Sequence, residues 1–125
     1  MRQNSAQPAV SIIVPIFNEE ENLPHLYGEV AAALEGWRPD FELILIDDGS
    51  QDRSWTVIEE LCKRDPRVKG VRFRGNFGQT AAVSAGFDLA EGELMVTMDG
   101  DLQNDPADIP ALAESMERRD LDLVN

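Results

Sequence analysis

Two tight groups of carboxylates stand out in this 125-residue chain: Asp47-Asp48, running on into Gly49-Ser50-Gln51-Asp52, and Asp99-Gly100-Asp101, running on into Leu102-Gln103-Asn104-Asp105. Neighbouring carboxylates repel, and each pair follows an apolar run, so keeping them together is costly unless a cation or a donor-rich ligand compensates. In extended backbone, residues i and i+2 point the same way. Asp99 and Asp101 could therefore converge on a hard divalent ion, Mg2+ or Mn2+, which keeps positions open for phosphate oxygens and acts as a Lewis acid on a departing phosphate. The ordinary alternative is that Asp and Asn favour turns and helix caps. That covers Asp52, Asp105 and Asp108 but explains the two tight groups poorly.

The elements that must position these groups follow from hydrophobic periodicity. Apolar runs at Val10–Ile16, Phe41–Ile46, Val68–Phe73 and Leu94–Met98 read as strands. The first, second and fourth are nearly continuous in aliphatic residues, as in parallel strands covered on both faces. Val68–Phe73 is mixed and is expected near an edge. Between them lie helical patterns. Leu23, Leu26, Tyr27, Val30 and Leu34 form one stripe, with Asn22 as N-cap and Gly36 as stop. A second helix is expected from about Asp52 to Arg64 and a third from Gln79 to Ala90, whose alanines and Gly86 imply close packing on the sheet. A fourth would open at Asp105-Pro106, and Leu121–Val124 would begin a fifth strand. Alternating strand and helix implies right-handed crossovers and a mostly parallel α/β sheet with flanking helices. Residues 1–9 are expected to be loosely ordered, and the rest to be part of a larger domain.

Ligands of an open parallel sheet bind beyond the carboxyl ends of its strands. Ten of the 24 acids lie at those ends: Glu19, Glu20, Glu21, Asp47, Asp48, Asp52, Asp99, Asp101, Asp105 and Asp108. With only 11 Lys and Arg and a net charge of -13, a nucleic-acid partner is excluded, because phosphate binding of that kind needs clustered cations. The single cysteine, Cys62, excludes an internal disulfide. The longest aliphatic runs fall far short of the roughly 20 residues that span a bilayer. His25 has no metal-ligand partner at a suitable spacing, Trp55 reads as core, and Trp37 as cover for an end of the sheet.

Taken in order, Val14-Pro15-Ile16-Phe17-Asn18-Glu19, Ile46-Asp47-Asp48-Gly49-Ser50 with Asp52, Asn76-Phe77-Gly78-Gln79 and Met98-Asp99-Gly100-Asp101-Leu102-Gln103 resemble the family 2 glycosyltransferases of GT-A fold. Within them, the polyprenyl-phosphate type, such as dolichol-phosphate mannose synthases, is the most similar. The resemblance covers residues 10–125 and implies the N-terminal, nucleotide-binding part of such a domain. It implies that Pro15, Phe17, Glu19, Ile46, Asp47 and Asp48 bind the nucleotide of a UDP- or GDP-sugar, with Asn76, Gly78, Asp99 and Gly100 near the donor. It also implies that Asp99, Asp101 and Gln103 hold Mg2+ or Mn2+ against the diphosphate, with Asp101 closest to catalysis. The activity implied is inverting transfer of a sugar to a polyprenyl phosphate at the cytoplasmic side of a membrane, reached through a C-terminal part. Gly75 stands where relatives often carry a basic residue.

Rival readings fit less well. A receiver domain needs a late strand-end Lys, and Lys63 and Lys69 both come too early. A dehalogenase-type phosphatase follows Asp-x-Asp with Gly and Thr, where this chain has Leu102-Gln103. A dinucleotide fold needs G-x-G-x-x-G after the first strand, where Asn18-Glu19-Glu20 stands. A nucleotide-sugar-binding module without transfer, and a transferase acting on a saccharide hydroxyl, remain the alternatives.

Overall fold

The computed structural model describes residues 7–100. Asp101, Gln103, the fourth helix and the fifth strand of the sequence reading lie outside the described residues. Within them, the elements run β1 (Val10–Ile16), α1 (Leu23–Glu35), β2 (Phe41–Asp47), α2 (Ser54–Arg64), β3 (Val68–Arg72), α3 (Gln79–Leu89) and β4 (Leu94–Thr97). The four strands form one sheet in the order β3-β2-β1-β4, every pairing parallel. Among the described strands, the mixed strand β3 lies at an edge, paired with β2.

Continuous apolar strands are explained by cover on both faces. Ile12, Val14, Leu43 and Leu45 pack with Leu23, Leu26, Val30 and Leu34 of α1 and with Ile58 and Leu61 of α2. The alternate residues Ile13, Ile44 and Ile46 pack with Ala82 of α3 on the other face. Each fully buried aliphatic side chain contributes on the order of 1.5–3 kcal/mol. Gly86 lets α3 lie close, since a side-chain carbon there would collide with Ile13.

Two local expectations need correction. Asn22 occupies the N-cap position of α1 but has helical backbone angles and makes no side-chain cap; its amide instead donates to Glu19 Oε1 at 2.8 Å. The second helix starts at Ser54 rather than Asp52, because Asp52 is used in a turn, its Oδ1 accepting from Ser54 N–H at 2.9 Å. Before β1, Gln7 Nε2 donates to Glu91 O at 3.0 Å and Ala9 N–H to Asp40 O at 2.8 Å.

The end of the sheet away from the acidic loops is closed by two polar clusters. Glu42, nearly buried, accepts from Ser11 Oγ (2.5 Å), Glu91 N–H (2.6 Å) and Lys69 Nζ (2.7 Å). Burial works against its ionisation, but these donors outweigh burial and hold its pKa below the ordinary value. Arg67 grips Asp65 at 2.9 Å, reaches Pro39 O at 3.0 Å and lies over the Phe41 ring. Its hydrogen bond is the main reason the Asp65 carboxyl lies well below the usual range. No helix among the described residues is long and apolar enough to cross a membrane.

Candidate functional site

The connections reverse direction between β1 and β4. From β1 the chain proceeds outward through β2 and β3 over α1 and α2, then returns over the opposite face through α3 to pair β4 on the other side of β1. Such a switch point leaves a crevice beyond the carboxyl ends of the two strands. A cavity of about 160 Å³ lies there, lined by Pro15, Ile16, Phe17, Glu19, Asp48, Gln79, Asp99 and Gly100. Sites for whole small molecules run to several hundred Å³ or more, so this cavity is small by that measure.

Six of the residues singled out from sequence meet at this cavity: Pro15, Phe17, Glu19, Asp48, Asp99 and Gly100. Phe17 presents an aromatic ring that is 44% exposed. Glu19 is oriented by Asn22, and Asp99 accepts from Gln79 Nε2 at 3.3 Å.

The loops that carry them are interlocked. Asn18, at φ +53, is a non-glycine residue with left-handed backbone, a conformation Asn tolerates better than most. Its N–H donates to Ser50 Oγ (2.8 Å), and its Oδ1 accepts from Gln51 and Asp52 N–H (2.8 and 3.3 Å). Ser54 Oγ accepts from Glu19 N–H at 2.8 Å, while Asp52 Oδ2 accepts from Glu20 N–H at 3.2 Å. Burial disfavours the charged form of Asp52, but the Ser54 and Glu20 donors prevail and lower its pKa. Phe17 and Glu19 are thus carried on a loop braced by its neighbour.

Asp48 is only 5% exposed and anchors a third loop. Its Oδ1 accepts from Phe77 N–H at 2.7 Å; its Oδ2 accepts from Gly78 N–H at 3.0 Å and from Asn76 Nδ2 at 3.2 Å. Gly49, at φ +75, makes room for that loop: a Cβ there would sit 2.5 Å from Gly75 C and 2.7 Å from Asn76 N. Asn76 and Gly78 therefore hold Asp48 and are not among the residues lining the cavity.

Two other sequence-predicted residues are buried rather than exposed at the cavity. The Ile46 side chain is fully buried in the α3-side core, so only its backbone is available to a ligand. Asp47 is fully buried too: Oδ1 accepts from Ser50 N–H at 3.0 Å, whereas Oδ2 has no hydrogen-bond partner among the described residues. Gly100, which lines the cavity, is also needed for packing. A Cβ there would lie 2.9 Å from Ile16 Cδ1 and 3.1 Å from Pro15 O.

Sequence reasoning included Gln79, which lines the cavity, in the Asn76-Phe77-Gly78-Gln79 motif but gave it no place in the site. It also assigned no role to Asn18, Ser50 or Ser54, ordinary turn residues whose mutual bonds appear only in three dimensions.

Residues 11–125 match Glycosyl transferase family 2. The chain belongs to that family. Among curated relatives, it is 48% identical over 116 residues to the dodecaprenyl-phosphate galacturonate synthase of Rhizobium johnstonii, covering 92% of this chain and 34% of that protein. It is 42% identical over 118 residues to the undecaprenyl-phosphate 4-deoxy-4-formamido-L-arabinose transferase of Shewanella sediminis, covering 94% of this chain and 36% of that one. The chain thus spans about a third of the length of these curated relatives. Its fold is that of GT-A glycosyltransferases. S. aureus TarS in complex with UDP superposes with a TM-score of 0.71 at 23% identity, over 87% of this chain and 32% of that one. The mannosyltransferase PcManGT from Pyrobaculum calidifontis, in complex with GDP-Man and Mn2+, gives 0.67 at 23% identity, over 76% and 28%.

As to a metal, Asp99 places a hard oxygen donor on the cavity wall, which suits Mg2+ or Mn2+. No group of three His, Cys, Asp or Glu side chains that could hold an ion occurs among the described residues.

Proposed function

We propose that this chain is the donor-binding part of a glycosyltransferase that moves a sugar from a nucleoside diphosphate to a polyprenyl phosphate, with inversion. The observation that carries the proposal is the gathering of Pro15, Phe17, Glu19, Asp48, Asp99 and Gly100 around one cavity at the switch point of the sheet. Support for the donor class comes from the solved neighbours with UDP or GDP-Man; support for the acceptor class comes from the polyprenyl-phosphate relatives.

In this reading the exposed Phe17 ring and Pro15 flank the base, and Glu19 accepts from base or ribose donors. Asp48 acts chiefly by fixing the Asn76–Gly78 loop. Asp47 Oδ2, which has no partner among the described residues, is an acceptor open to a donor, since an unpaired buried polar atom costs about 1–3 kcal/mol. Asp99 is proposed to hold Mg2+ or Mn2+ with Asp101 and Gln103. Bound there, the ion offsets the negative charge that develops on the leaving diphosphate. A phosphate acceptor has its second pKa near about 6 and is already ionised at neutral pH, so the transfer needs no general base. A lipid acceptor of this kind calls for work at a membrane surface, and the proposed surface is the cytoplasmic one.

Titration calorimetry of this chain with UDP and with GDP, each with and without Mn2+, tests the donor half of the reading. Binding of one diphosphate that tightens with Mn2+ is expected, and Phe17→Ala should weaken it. A folded sample that binds neither diphosphate in the presence of Mn2+ overturns the proposal.

A further inference from the structure

Asp48 and Asp99 reach the same cavity from strands that are not neighbours, because β1 lies between β2 and β4. Both carboxylates are held by consecutive residues at the start of α3. Gly78 N–H donates to Asp48, at 3.0 Å from Oδ2 and 3.3 Å from Oδ1, and Gln79 Nε2 donates to Asp99 Oδ1 at 3.3 Å. Gln79 also lines the cavity itself. The helix behind it is seated on the sheet through Ala82, which packs with Ile13, Ile44 and Ile46, and through the close approach of Gly86 to Ile13 and Ile46. The first turn of α3 is thus a strut between the two acidic walls, on a part of the fold that the core keeps in place.

We propose that Gln79 is a positioning residue for donor binding, holding Asp99 at a set distance from Asp48 across the cavity; this rests on the donor-pocket reading above. A neutral amide suits the task. It orients one carboxylate oxygen by hydrogen bonding while leaving the negative charge that a cation or a diphosphate-bound ion requires. A cationic side chain in its place would offset that charge.

The test is a double-mutant cycle on this chain, read by calorimetry with Mn2+ and whichever of UDP and GDP the unmodified chain binds. Gln79→Ala should weaken Mn2+-supported binding by roughly two- to tenfold, the range a single hydrogen bond commands. Its thermal midpoint and its Mn2+-free affinity should stay unchanged. In an Asp99→Ala background the same substitution should have no further effect, because the two side chains act as one unit. A merely structural role for Gln79 would instead lower affinity equally with and without metal and in both backgrounds. Equal affinities for Gln79→Ala and the unmodified chain, or an equal loss in the Asp99→Ala background, overturn the positioning role alone. Failure of the unmodified chain to bind either diphosphate removes the donor-pocket reading and this inference with it.

Discussion

Replacing Asp48 with Asn removes a charge without changing size, and so isolates what the carboxylate does. In the folded chain one oxygen of Asp48 accepts from Phe77 N–H at 2.7 Å, and the other from Gly78 N–H at 3.0 Å and Asn76 Nδ2 at 3.2 Å. An Asn side chain keeps one acceptor for Phe77 but turns an NH2 group toward two donors. Hydrogen bonds to a charged group are worth about 1.5–3 kcal/mol each, and an unsatisfied buried donor costs about 1–3 kcal/mol. The Asn76 side chain retains its bond to Asp48 O at 3.1 Å, which limits the loss. We expect Asp48→Asn to destabilise the chain by about 3 kcal/mol, a fall on the order of 10–15 °C in Tm. Urea denaturation followed by circular dichroism and by Trp37 and Trp55 fluorescence measures it. A loss below about 0.5 kcal/mol, less than one ordinary hydrogen bond, refutes the anchoring role. Full stability combined with lost diphosphate binding would make Asp48 a direct ligand group instead.

Gly49→Ala should destabilise by about 2–4 kcal/mol, combining left-handed backbone strain with a collision against the Gly75–Asn76 backbone; a loss under about 1 kcal/mol in the same assay contradicts the close crossing. The Asp65–Arg67 pair makes stability depend on acid. The folded-state pKa of Asp65 is depressed, so the pair contributes fully above the ordinary carboxylate pKa of about 4 and loses its contribution as pH falls toward the folded value. Urea midpoints at about pH 6 and pH 3 should therefore differ less in Asp65→Asn than in the unmodified chain, and an unchanged difference speaks against the pair.

The strand runs and the α1 stripe were legible because burial on two faces leaves a continuous apolar signature, and burial of one helix face leaves a 3.6-residue one. Helix starts were less so. Asn22 and Asp52 each have the composition of a cap, yet one orients Glu19 and the other turns the chain ahead of α2. A short polar side chain has several partners within reach, and the choice is made by loops distant in sequence. The same holds for the site. Pro15, Phe17, Glu19, Asp48, Asp99 and Gly100 were found as motifs and do share a cavity, but the motifs did not separate wall from brace. Asn76 and Gly78 brace Asp48, and Ile46 is core.

Residue order alone determined the alternation of strands and helices, the acidic groups at the strand ends and membership of family 2, because periodicity and motif spacing are local properties of the chain. Tertiary structure alone decided that β4 pairs with β1, that the switch point opens between them, and that Gln79 stands between two carboxylates about 50 residues apart in sequence. Those outcomes depend on which strands pair across long separations and on which side chains reach one another once the core is packed, and neither is encoded in any single segment.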